Sequence, residues 1–191
     1  MHDSAMAWLK RVHQLYQHFL IGPTLEVGSI NINGSARDVF GNYRPYTGVD
    51  IVAGPCVDVV VDIRDDAAAA RAGIGIYPLI VSTEVLEHTP PLPLLDAMLD
   101  HADPRGCTMV ITCAGPQRQT HSADGAPTLK PSEYYANVHP DTLREWLREL
   151  PRHGWIVGWY DITTSPDDRD TYAAWYIQMV PTQNQRKDLG S

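Results

Sequence analysis

The chain has 191 residues, 43% of them apolar, which is one domain's worth of sequence with enough material for a core. Its 14 Gly and 15 Pro stay below the share that marks low-complexity chains. A formal net charge of −8 disfavours a nucleic-acid partner, because phosphate backbones select for basic surfaces.

Three cysteines, Cys56, Cys107 and Cys113, are too few for a disulfide framework and read as reduced thiols of a cytoplasmic protein. No run of 18 apolar residues occurs, so no membrane partner is expected.

In chain order, Trp8, Val12, Leu15, Tyr16 and Phe19 recur at spacings of three and four over residues 5–20. They form one apolar stripe of a helix that Gly22-Pro23 closes. Residues 24–28 read as a short strand that runs into the polar turn Ser29 to Gly34, and Ser35 to Phe40 can start a helix. Tyr46 to Asp50 is a second strand and Cys56 to Ile63 a third, β-branched and nearly continuously apolar. Asp65 to Arg71, acidic at its start and rich in alanine, is a short helix; Tyr77 to Val85 is a fourth strand.

Pro90 to His101 is a proline-opened helix, Cys107 to Ala114 a fifth strand, and Pro140 to Leu150 an amphipathic helix. Between the last two lies a polar stretch, 115–138, long enough to be a functional loop. Trp155 to Thr163 and Tyr172 to Val180 are strands joined by a hairpin at 165–170. Residues 1–22 are thus an N-terminal helical segment, 23–181 the main domain and 182–191 a flexible tail. Strands alternating with helices predict an α/β fold with a mostly parallel sheet and one antiparallel strand from the hairpin.

Ligands bind such sheets beyond the carboxyl ends of the strands. Gly28 and Gly34 flank the first turn, where a missing Cβ lets backbone approach a ligand. Asp50 ends the second strand 22 residues further on, the spacing at which an acid accepts ribose hydroxyls. Asp62 is placed to accept from an exocyclic amine, and Ser82, Thr83 and Glu84 follow the fourth strand. The second glycine of G-x-G-x-x-G is replaced by Ile30, and no Lys follows Gly34. Dinucleotides and nucleoside triphosphates are therefore disfavoured, and an adenosine without phosphates fits better.

The segments L-E-V-G-S-I-N-I-N-G, Y-T-G-V-D-I, V-V-V-D-I and L-I-V-S-T-E-V-L-E-H resemble the successive motifs of class I S-adenosylmethionine-dependent methyltransferases over residues 22–180. The resemblance implies a Rossmann-like, seven-stranded sheet and S-adenosylmethionine as cofactor, with 23–181 as the methyltransferase domain. It implies that Glu26, Gly28 and Ser29 line the methionine end of the cofactor beside the Gly34 turn. Asp50 with Ile51 would hold the ribose, Asp62 with Ile63 would frame the adenine, and Ser82, Thr83 and Glu84 would form the floor near the sulfonium. The sequence departs from the family at Ile30, often Gly there, and between the second and third strands. Only Val52 to Pro55 separate those two, so the usual intervening helix is missing.

Methyl transfer to a hydroxyl needs a group to take its proton, and His121, His139 and His88 are the candidates, His121 first. Glu84, Glu87 and His88 spell E-x-x-E-H, which also resembles the metal cluster of small-RNA 3′-terminal ribose methyltransferases, with His121 or His139 completing the shell. The same pentapeptide occurs in many metal-free methyltransferases and the chain is acidic, so no metal is expected. The polar, aromatic loop residues Gln117, Arg118, Gln119 and Tyr134 to Asn137 suit a small polar or sugar-like acceptor. The expected activity is O-methylation of such a small molecule. The alternatives are metal-dependent ribose 2′-O-methylation of an RNA terminus and a non-catalytic cofactor-binding subunit.

Overall fold

A computed structural model of the chain describes residues 3–41 and 44–180. The expected tail, 182–191, lies outside the described residues.

Strands β1 (Thr24–Val27), β2 (Tyr46–Asp50), β3 (Val59–Val60), β4 (Leu79–Thr83), β5 (Cys107–Ala114), β6 (Trp155–Thr164) and β7 (Asp170–Met179) form one sheet. Their order is β3-β2-β1-β4-β5-β7-β6. β1 pairs in parallel with β2 on one side and β4 on the other, so the strand order reverses at β1. β7 runs antiparallel to both β5 and β6, as the hairpin predicts.

Helices cover both faces. α3 (Asp66–Arg71), α4 (Pro91–Asp100) and α5 (Pro140–Glu149) pack Ala69, Leu95, Met98, Leu143 and Leu147 against Ile80, Met109, Ile111 and Trp175. α1 (Asp3–Tyr16) and α2 (Arg37–Phe40) cover the other face, where Trp8, Leu9, Val12 and Phe40 meet Leu79, Val81 and Val110. Local chemistry sets the helix starts. Asp65 accepts from the Ala68 amide to cap α3, and His139 accepts from the Asp141 amide to cap α5. Trp146 Nε1 donates to Asp96 at 2.9 Å and ties α5 to α4.

Three expectations shift. α1 buries Ala5, Trp8, Leu9 and Val12, while Leu15 is 57% exposed; the buried face includes Leu9 in place of Leu15. The helix ends at Tyr16, whose ring stacks on Trp159 with centroids 4.1 Å apart, and Phe19 sits edge-on to the same indole. β3 is two residues long rather than eight, because it is an edge strand whose one neighbour, β2, ends at Asp50. The chain from 51 to 58 contains no helix, in keeping with its short length.

Trp175 is the largest fully buried side chain and sits at the centre of β7, against Trp146. Trp175→Ala is expected to cost about 3–5 kcal/mol, the range for emptying a buried aromatic site. Urea unfolding followed by circular dichroism reads this as a lower midpoint; an unchanged midpoint contradicts this packing.

Candidate active site

The reversal of strand order at β1 leaves a cleft of about 820 Å³ beyond the carboxyl ends of β1, β2, β3 and β4. Gly28 opens its floor. Its φ is +77°, and a Cβ there would lie 2.1 Å from Val85 Cγ2, so the turns after β1 and β4 meet only because this residue has no side chain. Asp50 points into the cleft from β2 and is held by two amides, Ile30 N–H at 3.2 Å and Val52 N–H at 3.1 Å. The Ile30 turn is thereby tied to the acid. Beside Asp50, Ile51 and Val52 are 64% and 55% exposed, an apolar surface on the cleft wall that none of the described residues covers.

Asp62 and Ile63 line the same cleft. The Asp62 carboxylate is engaged by Arg64 through Nε at 2.8 Å and Nη2 at 2.6 Å, and Arg64 Nη1 donates to Thr89. Those bonds hold the Asp62 carboxyl below its usual range. Arg64, which the sequence reading passed over, thus shares the carboxylate expected to accept from an exocyclic amine, and Asp62 Oδ2 keeps a further lone pair at the cleft.

Gly34 and Thr83 line the cleft as expected, and so does Glu84. Glu84 has φ +57°, a strained setting for a residue with a side chain. Its Oε1 accepts from Thr112 at 2.8 Å, and its Oε2 lies 3.7 Å from Arg118 Nη2. Arg118 comes from the long loop and also pairs with Asp170 at 2.8 Å. Asp170 accepts in turn from Tyr172 and from Ser4 of α1, so the turn after β4, β7, the loop and α1 share one largely buried network.

Glu26, Ser29 and Ser82 do not line the cleft. They are 1%, 2% and 0% exposed and sit beneath its wall, Glu26 and Ser82 on strands and Ser29 in the turn after β1. Burial pushes the Glu26 carboxyl up to about 7, against the opposing pull of the Tyr46 hydroxyl and the Ala36 amide.

At the far end of the cleft, loop 115–138 folds over it. Asn137 bridges the carbonyls of Pro116 and Arg118, and Ser122 donates to Glu133. This brings His121 to His88, ring centroids 5.1 Å apart and edge to face, with Tyr135 completing a three-ring cluster. Burial, with His121 nearby, lowers the His88 imidazole to about 4, so it is neutral at pH 7. Behind it, burial and the neighbouring Glu84 push the Glu87 carboxyl well up. His139 is not here. It caps α5 and lines a separate polar pocket with Gln117, Arg144 and Thr163, which removes it from the candidates for acceptor chemistry.

No family model and no curated protein matches the chain. Solved structures do. The plantazolicin methyltransferase BpumL in complex with SAH superposes at TM-score 0.62 with 14% identity, over 93% of this chain and 84% of that one. The Burkholderia thailandensis 1,6-didemethyltoxoflavin-N1-methyltransferase, with 1,6-didemethyltoxoflavin and S-adenosylhomocysteine bound, gives 0.60 and 12% over 93% and 79%. The N-methyltransferase NodS from Bradyrhizobium japonicum WM9 gives 0.52 and 16% over 92% and 98%. The chain has the class I methyltransferase fold. Within that fold the cleft lies at the reversal point of strand order, where α/β sheets take their ligands.

The buried Glu26 generates a pH test. Its folded-state value, about 7, lies above the ordinary 4.5, so between these values the folded state holds the extra proton and stability falls as pH rises. Above pH 7 the deficit approaches about 3 kcal/mol. Glu26→Gln is expected to remove this slope and to be the more stable protein at pH 8. Urea titrations from pH 5 to 8 check it; parallel wild-type and variant curves contradict the assignment.

Proposed function

We propose that the chain is an S-adenosylmethionine-dependent methyltransferase that O-methylates a small polar acceptor. The observation that carries this reading is the cleft itself. It joins an adenosine-compatible half, built on Gly28, Asp50 and Ile63, to a polar half roofed by the long loop.

The first half suits the cofactor on three counts. Gly28 keeps the floor free of a side chain. Asp50 offers an oriented carboxylate to ribose hydroxyls, a charge-assisted bond of about 1.5–3 kcal/mol. Ile51 and Val52 present uncovered apolar surface to a purine face. S-adenosylmethionine supplies an electrophilic methyl group on a sulfonium. The protein's part is then to hold an acceptor in line with it, and positioning alone can be worth about 7–11 kcal/mol.

The second half sets the acceptor. Lys130, Asp124 and Glu133 give the roof mixed charge, which suits a polar molecule, and the structural neighbours are named as a plantazolicin methyltransferase and a 1,6-didemethyltoxoflavin-N1-methyltransferase. Two neighbours, the toxoflavin enzyme and NodS, are named as N-methyltransferases. What favours oxygen here is the imidazole pair, because a neutral amine attacks without losing a proton first whereas a hydroxyl must shed one. His88 and His121 are the groups placed to deal with that proton.

Two variants test the reading. Asp50→Ala is expected to weaken S-adenosylmethionine about tenfold or more in calorimetry. His121→Ala is expected to keep cofactor affinity and lower turnover by about 10²-fold or more, measured as radiolabelled methyl transfer to fractionated polar metabolites. Undiminished affinity in the first variant removes the cofactor assignment, and wild-type turnover in the second removes the acceptor site.

A further inference from the structure

Glu87 is fully buried, and neither of its carboxylate oxygens has a hydrogen-bond partner. Its own amide and that of Ala114 bear on it without closing a hydrogen bond on either oxygen. The Nδ1 of His88 is buried and unpartnered as well. Together with His121, these side chains bring one carboxylate oxygen and two ring nitrogens within 4.8 Å of one another. Unmatched polar atoms of this kind are costly to leave in a core, and they converge on one point.

We propose that Glu87, His88 and His121 form a binding site for a divalent transition-metal cation of the zinc class, open toward the acceptor half of the cleft. One carboxylate with two imidazoles is the ligand set of three-ligand zinc sites that keep a position free. Two nitrogen donors favour zinc over magnesium, which prefers an all-oxygen shell.

The surroundings fit. His121 Nδ1 lies 3.0 Å from the Gln119 carbonyl, which can only accept, so Nδ1 carries the proton and Nε2 keeps its lone pair. A ring nitrogen tied to a backbone carbonyl is the outer bond that orients ligating histidines. The Tyr135 hydroxyl donates to the same carbonyl at 3.2 Å, and Ala136 N–H to the Glu87 carbonyl at 2.9 Å, so the loop is pinned to the turn that carries two of the ligands. Ligand atoms of a tetrahedral zinc stand about 3.4 Å apart, so atoms that lie within 4.8 Å of one another need to close by no more than about 1.4 Å, which the loop-borne His121 can supply.

The ligand set differs from the grouping that the sequence suggested. Glu84 is outside it, engaged by Thr112 and facing Arg118, and His139 is on another part of the surface. A metal held at Glu87 departs from the expectation that no residue here holds one.

The existence of the site stands apart from the functional reading above, and its role in acceptor binding rests on that reading. In that role the two imidazoles would deal with the acceptor's proton by holding the cation rather than by accepting the proton themselves: the cation would acidify the acceptor hydroxyl, and the proton passes to water. The methyl carbon's bond to sulfur breaks, its bond to the acceptor oxygen forms, and S-adenosylhomocysteine leaves.

The test is equilibrium dialysis of the chelator-stripped full chain against Zn²⁺ alone, with bound metal counted by elemental analysis. Wild type and His139→Ala are expected to take up one zinc per chain, and excess Mg²⁺ to leave it in place. Glu87→Gln and His121→Ala are expected to bind at least tenfold more weakly. Circular dichroism checks the fold of Glu87→Gln; His121→Ala, on a loop, carries the test if the first variant does not fold. No stoichiometric uptake by wild type, displacement by Mg²⁺, or undiminished uptake by His121→Ala overturns the proposal. S-adenosylmethionine binding, measured on the same metal-free protein, separates the two readings. Cofactor binding without zinc uptake sinks the metal site alone, and zinc uptake at these residues without cofactor binding sinks only the methyltransferase reading.

Discussion

The bare backbone of Gly28 against Val85 is the contact on which the rest of the cleft depends. β1 sits between β2 and β4, and the turns that leave β1 and β4 have to pass at van der Waals distance for both to open upward from the sheet. A Cβ at position 28 would drive them apart. With the two turns together, Asp50 on one side and His88 on the other face a shared space. The strain at Glu84 belongs to the same junction: the chain leaves β4 with a positive φ, and Thr112 and Arg118 hold the side chain in place.

Charge burial is concentrated around that junction. Arg118 and Asp170 neutralise each other under the loop, and Glu84, Tyr172 and Ser4 extend the pair into a network that links four parts of the chain. Such a network fixes geometry more than it stabilises, because desolvation offsets most of the Coulomb gain. Glu26 and Glu87 have no such counter-charge at hydrogen-bonding distance, and burial pushes both carboxyls up. For Glu87 the imidazoles of His88 and His121 point to a cation.

Much of this was legible in the sequence. β-branched runs ending in Asp50 and Asp62, and the glycine at the end of β1, carry their information locally: period, terminating acid, missing side chain. Contacts between distant segments did not. Nothing local to Glu26 or Ser82 says that they face the interior, since that depends on how neighbouring strands place each residue relative to the sheet face, and the burial of Ser29 depends on how the turn after β1 folds. Arg64 capturing Asp62 is a two-residue contact visible only once the turn has its shape. His121 ranked first because it lies inside the long loop, and His139 stayed a candidate because it opens the helix that follows. The first is carried back over the cleft by the Asn137 and Ser122 bonds, while the second is spent on capping α5.

Hydrogen exchange with and without saturating S-adenosylhomocysteine tests most directly that this cleft is the cofactor site. The account predicts saturable protection of the backbone amides in residues 28–34, 50–52, 61–64 and 83–88, with no change at the separate pocket around His139 and Arg144. Exchange that is indifferent to the ligand, or protection centred on that second pocket, would contradict it.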